Sequence, residues 1–212
     1  MLRLAGAFVA ASLLAGCSFF GVRSGTEQPR YEVVEQIGEA VEVRRYGPRL
    51  AAEVTVEAAD PEEGRNAAFR ILAAYIFGDN RAAQEIAMTA PVEVAGEGRE
   101  IAMTAPVETA SDGSGRLTMR FFLPSDLTEA TAPRPTDPRV RLLTVPAQTL
   151  AVRRFTGTRG TAAVEAEEAR LRAALEGAAW RPDGEAVAFF YDPPWTLPFL
   201  RRNEVVLPVT DS

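Results

Sequence analysis

The chain reads as an α+β protein: a twisted antiparallel sheet or distorted barrel flanked by two helices. Three observations predict this. Strand-like alternation occurs in pairs split by a tight turn, each pair is followed by one well-punctuated helix, and the order strand–strand–helix–strands occurs twice.

The elements follow in order. Residues 39–46 alternate polar and apolar, Gly47-Pro48 makes a turn, and 50–57 resumes strand character. Asp60 is a good N-cap for the first helix, with Pro61 at its first position, Glu63 in capping-box spacing and Gly78 as its stop. The strand pair repeats over 140–145 and 150–155 around Pro146. A second helix follows, with Thr161 as N-cap and Gly177 as stop, and strands over 186–191 and 203–207 close the chain.

Composition excludes several chemistries. The 212 residues contain no histidine, so His-ligated zinc, Ser-His-Asp or Cys-His catalysis and His-bound haem iron are ruled out. A lone cysteine excludes an intrachain disulfide. All 23 basic residues are arginine, the net charge is −6 and no basic run exists, which argues against nucleic acid as a partner.

The N-terminus reads as an address. Residues 4–14 are almost wholly apolar but too few to span a bilayer, which takes roughly 20 residues. They end in Leu14-Ala15-Gly16-Cys17, which resembles a bacterial lipoprotein signal whose cysteine is lipidated. The expected organisation is a signal peptide over 1–16, a lipid on Cys17, a tether over 17–30 and a domain over 31–209. The resemblance implies an envelope protein anchored by its lipid, with Ser18 compatible with the outer membrane, facing the periplasm.

A sharper repeat lies in the middle. Ile86-Ala87-Met88-Thr89-Ala90-Pro91-Val92-Glu93 recurs identically as 101–108. Two β-prone copies joined by a Gly-containing linker suggest a hairpin, with Pro91 and Pro106 at a bulge or edge. Met88 and Met103 read as core filler ahead of any ligand role.

The first helix carries more apolar surface than one packing face needs. Ala67, Ala68, Ile71, Leu72 and Tyr75 form one face and Phe69, Ala73, Ile76 and Phe77 another, with Arg70 the only charge between 67 and 77. The second stripe must be covered by a loop, for which 191–198 is a candidate, or by a flat ligand.

The doubled IAMTAPV segment, Arg170-Leu171-Arg172-Ala173-Ala174-Leu175-Glu176-Gly177, and the run from Tyr191 through Pro193-Pro194-Trp195 to Val205 together resemble the SOUL haem-binding protein family. The resemblance covers about 31–207. It implies a duplicated β-α-β-β unit and a tetrapyrrole held in a hydrophobic groove beside the first helix, without catalysis. Haem or iron-free porphyrin is then the expected ligand, bound without an axial histidine. The expected ligand-binding residues are Arg65, Phe69, Arg70, Leu72, Ala73, Ile76, Phe77, Tyr191, Trp195 and Arg201, with Arg202 a further cation for ligand carboxylates. Two alternatives stay open. The fold also resembles bacterial effector-binding domains, some relatives of which hydrolyse small hydrophobic substrates with a buried Glu, here Glu108, Glu185 or Glu204. The other is a non-catalytic module that binds a partner protein.

Overall fold

The computed structural model describes residues 26–81, 99–111, 115–193 and 195–212. Cys17, the leader and the first IAMTAPVE copy lie outside them.

Twelve strands, two α-helices and one short 3-10 turn make up the described chain. In order these are β1 (Tyr31–Ile37), β2 (Val41–Tyr46), β3 (Arg49–Glu57), α1 (Pro61–Ile76), β4 (Asn80–Arg81), β5 (Val107–Ser111), β6 (Arg116–Phe122), β7 (Arg134–Pro135), β8 (Arg141–Val145), β9 (Gln148–Phe155), α2 (Thr161–Leu175), β10 (Trp180–Pro182), β11 (Val187–Phe190), the 3-10 turn Pro198–Leu200 and β12 (Asn203–Asp211). β4 and β7 pair alone; the other ten strands form one antiparallel sheet, ordered β1-β2-β9-β12-β11-β5-β6-β3-β8 with β10 beside β12. From β2 to β8 this order reads the same from either end when β2-β3-β5-β6 is exchanged for β8-β9-β11-β12. The strand order is thus symmetric about the central β5–β11 pair.

The sheet curls into a half-barrel. β2 lies near one end of the strand order and β3 near the other, yet only Gly47 and Pro48 separate them. Tyr46 and Arg49 can be no more than roughly 11 Å apart, so the two wings must bend toward each other. Strand alternation then sorts side chains between the two faces. Leu50, Ala52 and Val54 of β3 pack with Ala68, Leu72, Tyr75 and Ile76 of α1. Ala51 points the other way and joins Phe122, Val145, Leu150, Val152, Phe189 and Val206 inside the curl. Under α2, Val41, Val43, Ala151, Val205 and Leu207 pack on Leu171 and Leu175.

Helix punctuation holds with one change. Asp60 Oδ1 accepts the backbone N–H groups of Glu62 (2.7 Å) and Glu63 (2.9 Å), which capping requires. Gly78 ends α1 at φ +115°, where glycine is favoured. For α2 the N-cap is Gly160 and Thr161 is the first helical residue, because Gly160 already holds the extended backbone that precedes the helix. The second IAMTAPVE copy also differs from a full strand. Only Val107 and Glu108 enter β5, whose hairpin partner among the described residues is β6. Met103, in the irregular stretch before β5, is 45% exposed and fills no core.

Candidate functional site: a groove between the helices

α1 packs mainly on β3 and β6, and α2 mainly on β9 and β12. The outer face of the central pair, β5 and β11, is left as the floor of a groove between them. Two adjoining cavities of about 460 and about 390 Å³ lie along it and share Arg65, Thr109, Arg159 and Phe190. Volumes of this size suit small-molecule ligands.

The larger cavity has an apolar floor and wall: Val107 of β5, Met119 of β6, Phe190 of β11 and Phe69 of α1. Phe69 is half-buried, its ring 5.5 Å from that of Phe121. Polar groups gather along the rim. Arg65 comes from α1, Arg159 from the turn before α2 and Arg201 from the segment before β12, facing the carboxylates of Glu62 and Asp192. Arg159 lies over the Phe190 ring, 5.4 Å from its centroid, and its Nη1 donates to the Asp192 carbonyl at 3.1 Å. Arg201 Nε donates to the Thr196 carbonyl at 2.7 Å. Burial, then the nearby Arg201 and Arg65, push the Arg159 guanidinium down to about 10. Three cations crowd a partly desolvated site, and an anion placed among them relieves both penalties.

The expected ligand-binding residues divide in position. Arg65, Phe69 and Arg201 line the groove. Leu72 and Ile76 are in the core beneath α1 and face the sheet: Leu72 belongs to the packing face already read from spacing, and that face extends one residue further to take in Ile76. Ala73 is half-buried on α1 and Arg70 is exposed. Phe77 caps the C-terminus of α1 and is 61% exposed. Trp195 is 55% exposed and lies outside the cavity lining, whereas its loop neighbour Pro193 is in it. Tyr191 faces inward, with its hydroxyl on Glu204 Oε2 at 2.6 Å. Arg159, Thr109 and Phe190 also line the groove, outside the set that the sequence leads one to expect. A sequence signal existed for Arg159, which stands in a Gly-containing turn just before a helix; the pairing of β5 with β11 leaves none.

The buried carboxylates lie on the opposite, concave face, in one register row. Arg141, Glu53, Arg120, Glu108, Phe189 and Glu204 are cross-strand neighbours in turn across β8, β3, β6, β5, β11 and β12. Arg120 bridges Glu53 (2.7 Å) and Glu108 (2.5 Å), and Arg141 holds the other Glu53 oxygen (2.5 Å). Glu204 binds Arg44 (3.0 Å) and Arg202 (2.7 Å). Arg202 therefore serves this network. Glu185 is exposed. Among the described residues no group of three or more His, Cys, Asp and Glu can hold a metal ion, and no helix is long and apolar enough to cross a membrane.

Comparison with known proteins places this geometry. The SOUL heme-binding protein family profile matches residues 26–208. No curated protein matches the chain. The crystal structure of the EcmrR C-terminal domain superposes with a TM-score of 0.59 at 9% identity, covering 86% of this chain and 99% of that one. A hydrolase from Listeria innocua gives 0.51 at 12% identity, covering 88% and 94%. At such identities these two likenesses speak for the fold alone.

Proposed function

This chain belongs to the SOUL heme-binding protein family, and from that premise we propose that the groove between α1 and α2 binds a tetrapyrrole or a similar flat, apolar, carboxylate-bearing molecule. One observation carries the reading. The uncovered β5–β11 floor gives an apolar slot walled by Phe69 and Phe190, with Arg65, Arg159 and Arg201 at its rim. When bound, a tetrapyrrole supplies a flat apolar face for the slot and carboxylates for the arginines. The residues present fit the macrocycle and its acid groups. Iron finds little here, since the chain has no histidine and, besides rim carboxylates, the lining offers only the Met119 thioether. Recognition then rests on the ring and its carboxylates.

We infer that the protein sits in the envelope, held by a lipid on Cys17 after removal of residues 1–16 and facing the periplasm.

 The support for that address is the leader's length and its single cysteine at the cleavage position.

Catalysis through a buried Glu draws on the hydrolase name of the Listeria innocua structure. The geometry favours binding, because Glu53, Glu108 and Glu204 are each committed to arginine and face away from the groove. The test is titration of the protein with haem and with iron-free protoporphyrin. Comparable affinities support recognition of the ring and its carboxylates. Binding of haem alone, with a sharp six-coordinate spectrum, overturns it.

A further inference from the structure

Five large apolar side chains project from one end of the sheet. Trp195 (55% exposed), Leu197 (36%) and Phe199 (69%) come from the β11–β12 connection, Met103 (45%) from the approach to β5 and Phe77 (61%) from the C-terminus of α1. Strand register fixes this shared end. Phe190 at the end of β11 pairs with Val107 at the start of β5 and with Asn203 at the start of β12. Ile101 N donates to the Ile76 carbonyl at 2.8 Å, which sets the end of α1 beside the same segment.

The chain's N-terminal segment enters at this end too. Glu27 bridges Thr104, next to Met103, and Gln28 Oε1 accepts from Arg202 Nη1 at 3.2 Å, just past the apolar connection. Cys17 is nine residues before Thr26, a reach of at most roughly 30 Å. A lipid on Cys17 therefore keeps this end close to the bilayer.

We propose that the Trp195–Phe199 connection, with Met103 and Phe77 beside it, is a membrane-docking surface that seats its apolar side chains in the interfacial layer of a lipid bilayer. Trp and Phe suit that layer, and a lipid tether turns weak insertion into a favourable intramolecular step. Pro193 and Arg201, which flank the connection, line the groove, so docking turns the groove's mouth toward the membrane. The inference rests on the lipid-anchor reading for its tether, and its test does not.

The chain has two tryptophans. Trp180 pairs with Asp211 at the far end of β12, is buried and donates its Nε1 to Glu35 at 2.6 Å, so it serves as an internal control. The full chain is reconstituted into phosphatidylcholine vesicles whose acyl chains carry bromine, and tryptophan emission is recorded. The expected result is quenching that disappears in Trp195→Phe and persists in Trp180→Phe. Leu197→Ser with Phe199→Ser should weaken partitioning about tenfold or more. Circular dichroism and porphyrin binding confirm that each variant is folded. Unquenched Trp195 emission in folded protein overturns the proposal. So does a double variant that turns a dimer into a monomer with quenching unchanged, which assigns the patch to a second copy. Failure of the lipid anchor shows separately, as a wild-type chain that mass spectrometry finds without an acyl group on Cys17.

Discussion

Arg44 and Glu204 meet inside the curl at 3.0 Å, Nη1 to Oε2, although 160 residues separate them. The pair ties β2, near one edge of the sheet, to β12 within it. Glu204 also accepts from the Tyr191 hydroxyl at 2.6 Å and from Arg202 at 2.7 Å. Burial opposes ionisation of Glu204, but Arg44, Arg202 and these hydrogen bonds outweigh it and hold its carboxyl below the usual range.

The first prediction concerns acid stability. Because the folded carboxyl of Glu204 titrates below its unfolded value near 4.5, its contribution is full above that pH and is lost as pH falls through the folded value. Glu204→Gln should lower stability at neutral pH by roughly 3–5 kcal/mol, since it leaves buried arginine charge uncompensated. Thermal unfolding from pH 7 to pH 3 checks this, with the variant and wild-type curves converging on the acid side.

Much of this fold is legible in the sequence. Turn and cap residues mark the strand pairs and both helices because their chemistry is local: Asp60, Pro61 and Gly78 act on neighbouring backbone. β1 carries little sequence signal because it lies at the edge and its residues are mostly exposed, so burial imposes no strong alternation. The groove is another matter. Its helical wall was visible in Phe69, but its floor comes from Val107 and Phe190, 83 positions apart in the numbering and brought together only by sheet register. The inward turn of Tyr191 likewise depends on Glu204, a partner that spacing does not reveal.

The second prediction separates core from groove on α1. Leu72 is fully buried, so Leu72→Ala should cost roughly 2–5 kcal/mol of stability. Phe69→Ala should instead weaken porphyrin binding with a smaller loss of stability, because Phe69 is half-buried at the cavity wall. Denaturant unfolding and porphyrin titration of both variants provide the comparison.

The third prediction concerns the arginine rim. Arg65→Glu sets a carboxylate near Arg159 and should weaken protoporphyrin binding by about tenfold or more. Protoporphyrin dimethyl ester has no free carboxylates, and its affinity should barely change. Equal loss for acid and ester would show that Arg65 acts by shape and not by charge.

The fourth prediction concerns the anchor. Cys17→Ala should move the protein from the membrane to the soluble fraction on cell fractionation, if its lipid is the main attachment. An unchanged distribution would show that a lipid on Cys17 is not the main attachment.

The most direct measurement is porphyrin titration of a protein whose groove floor has been filled. Thr109 is buried on β5 and lines both cavities, so Thr109→Trp places a bulky ring where the ligand is proposed to lie. The expected result is a folded protein, by circular dichroism, that no longer binds haem or iron-free protoporphyrin. A folded Thr109→Trp protein that binds either one as tightly as the wild type contradicts the account.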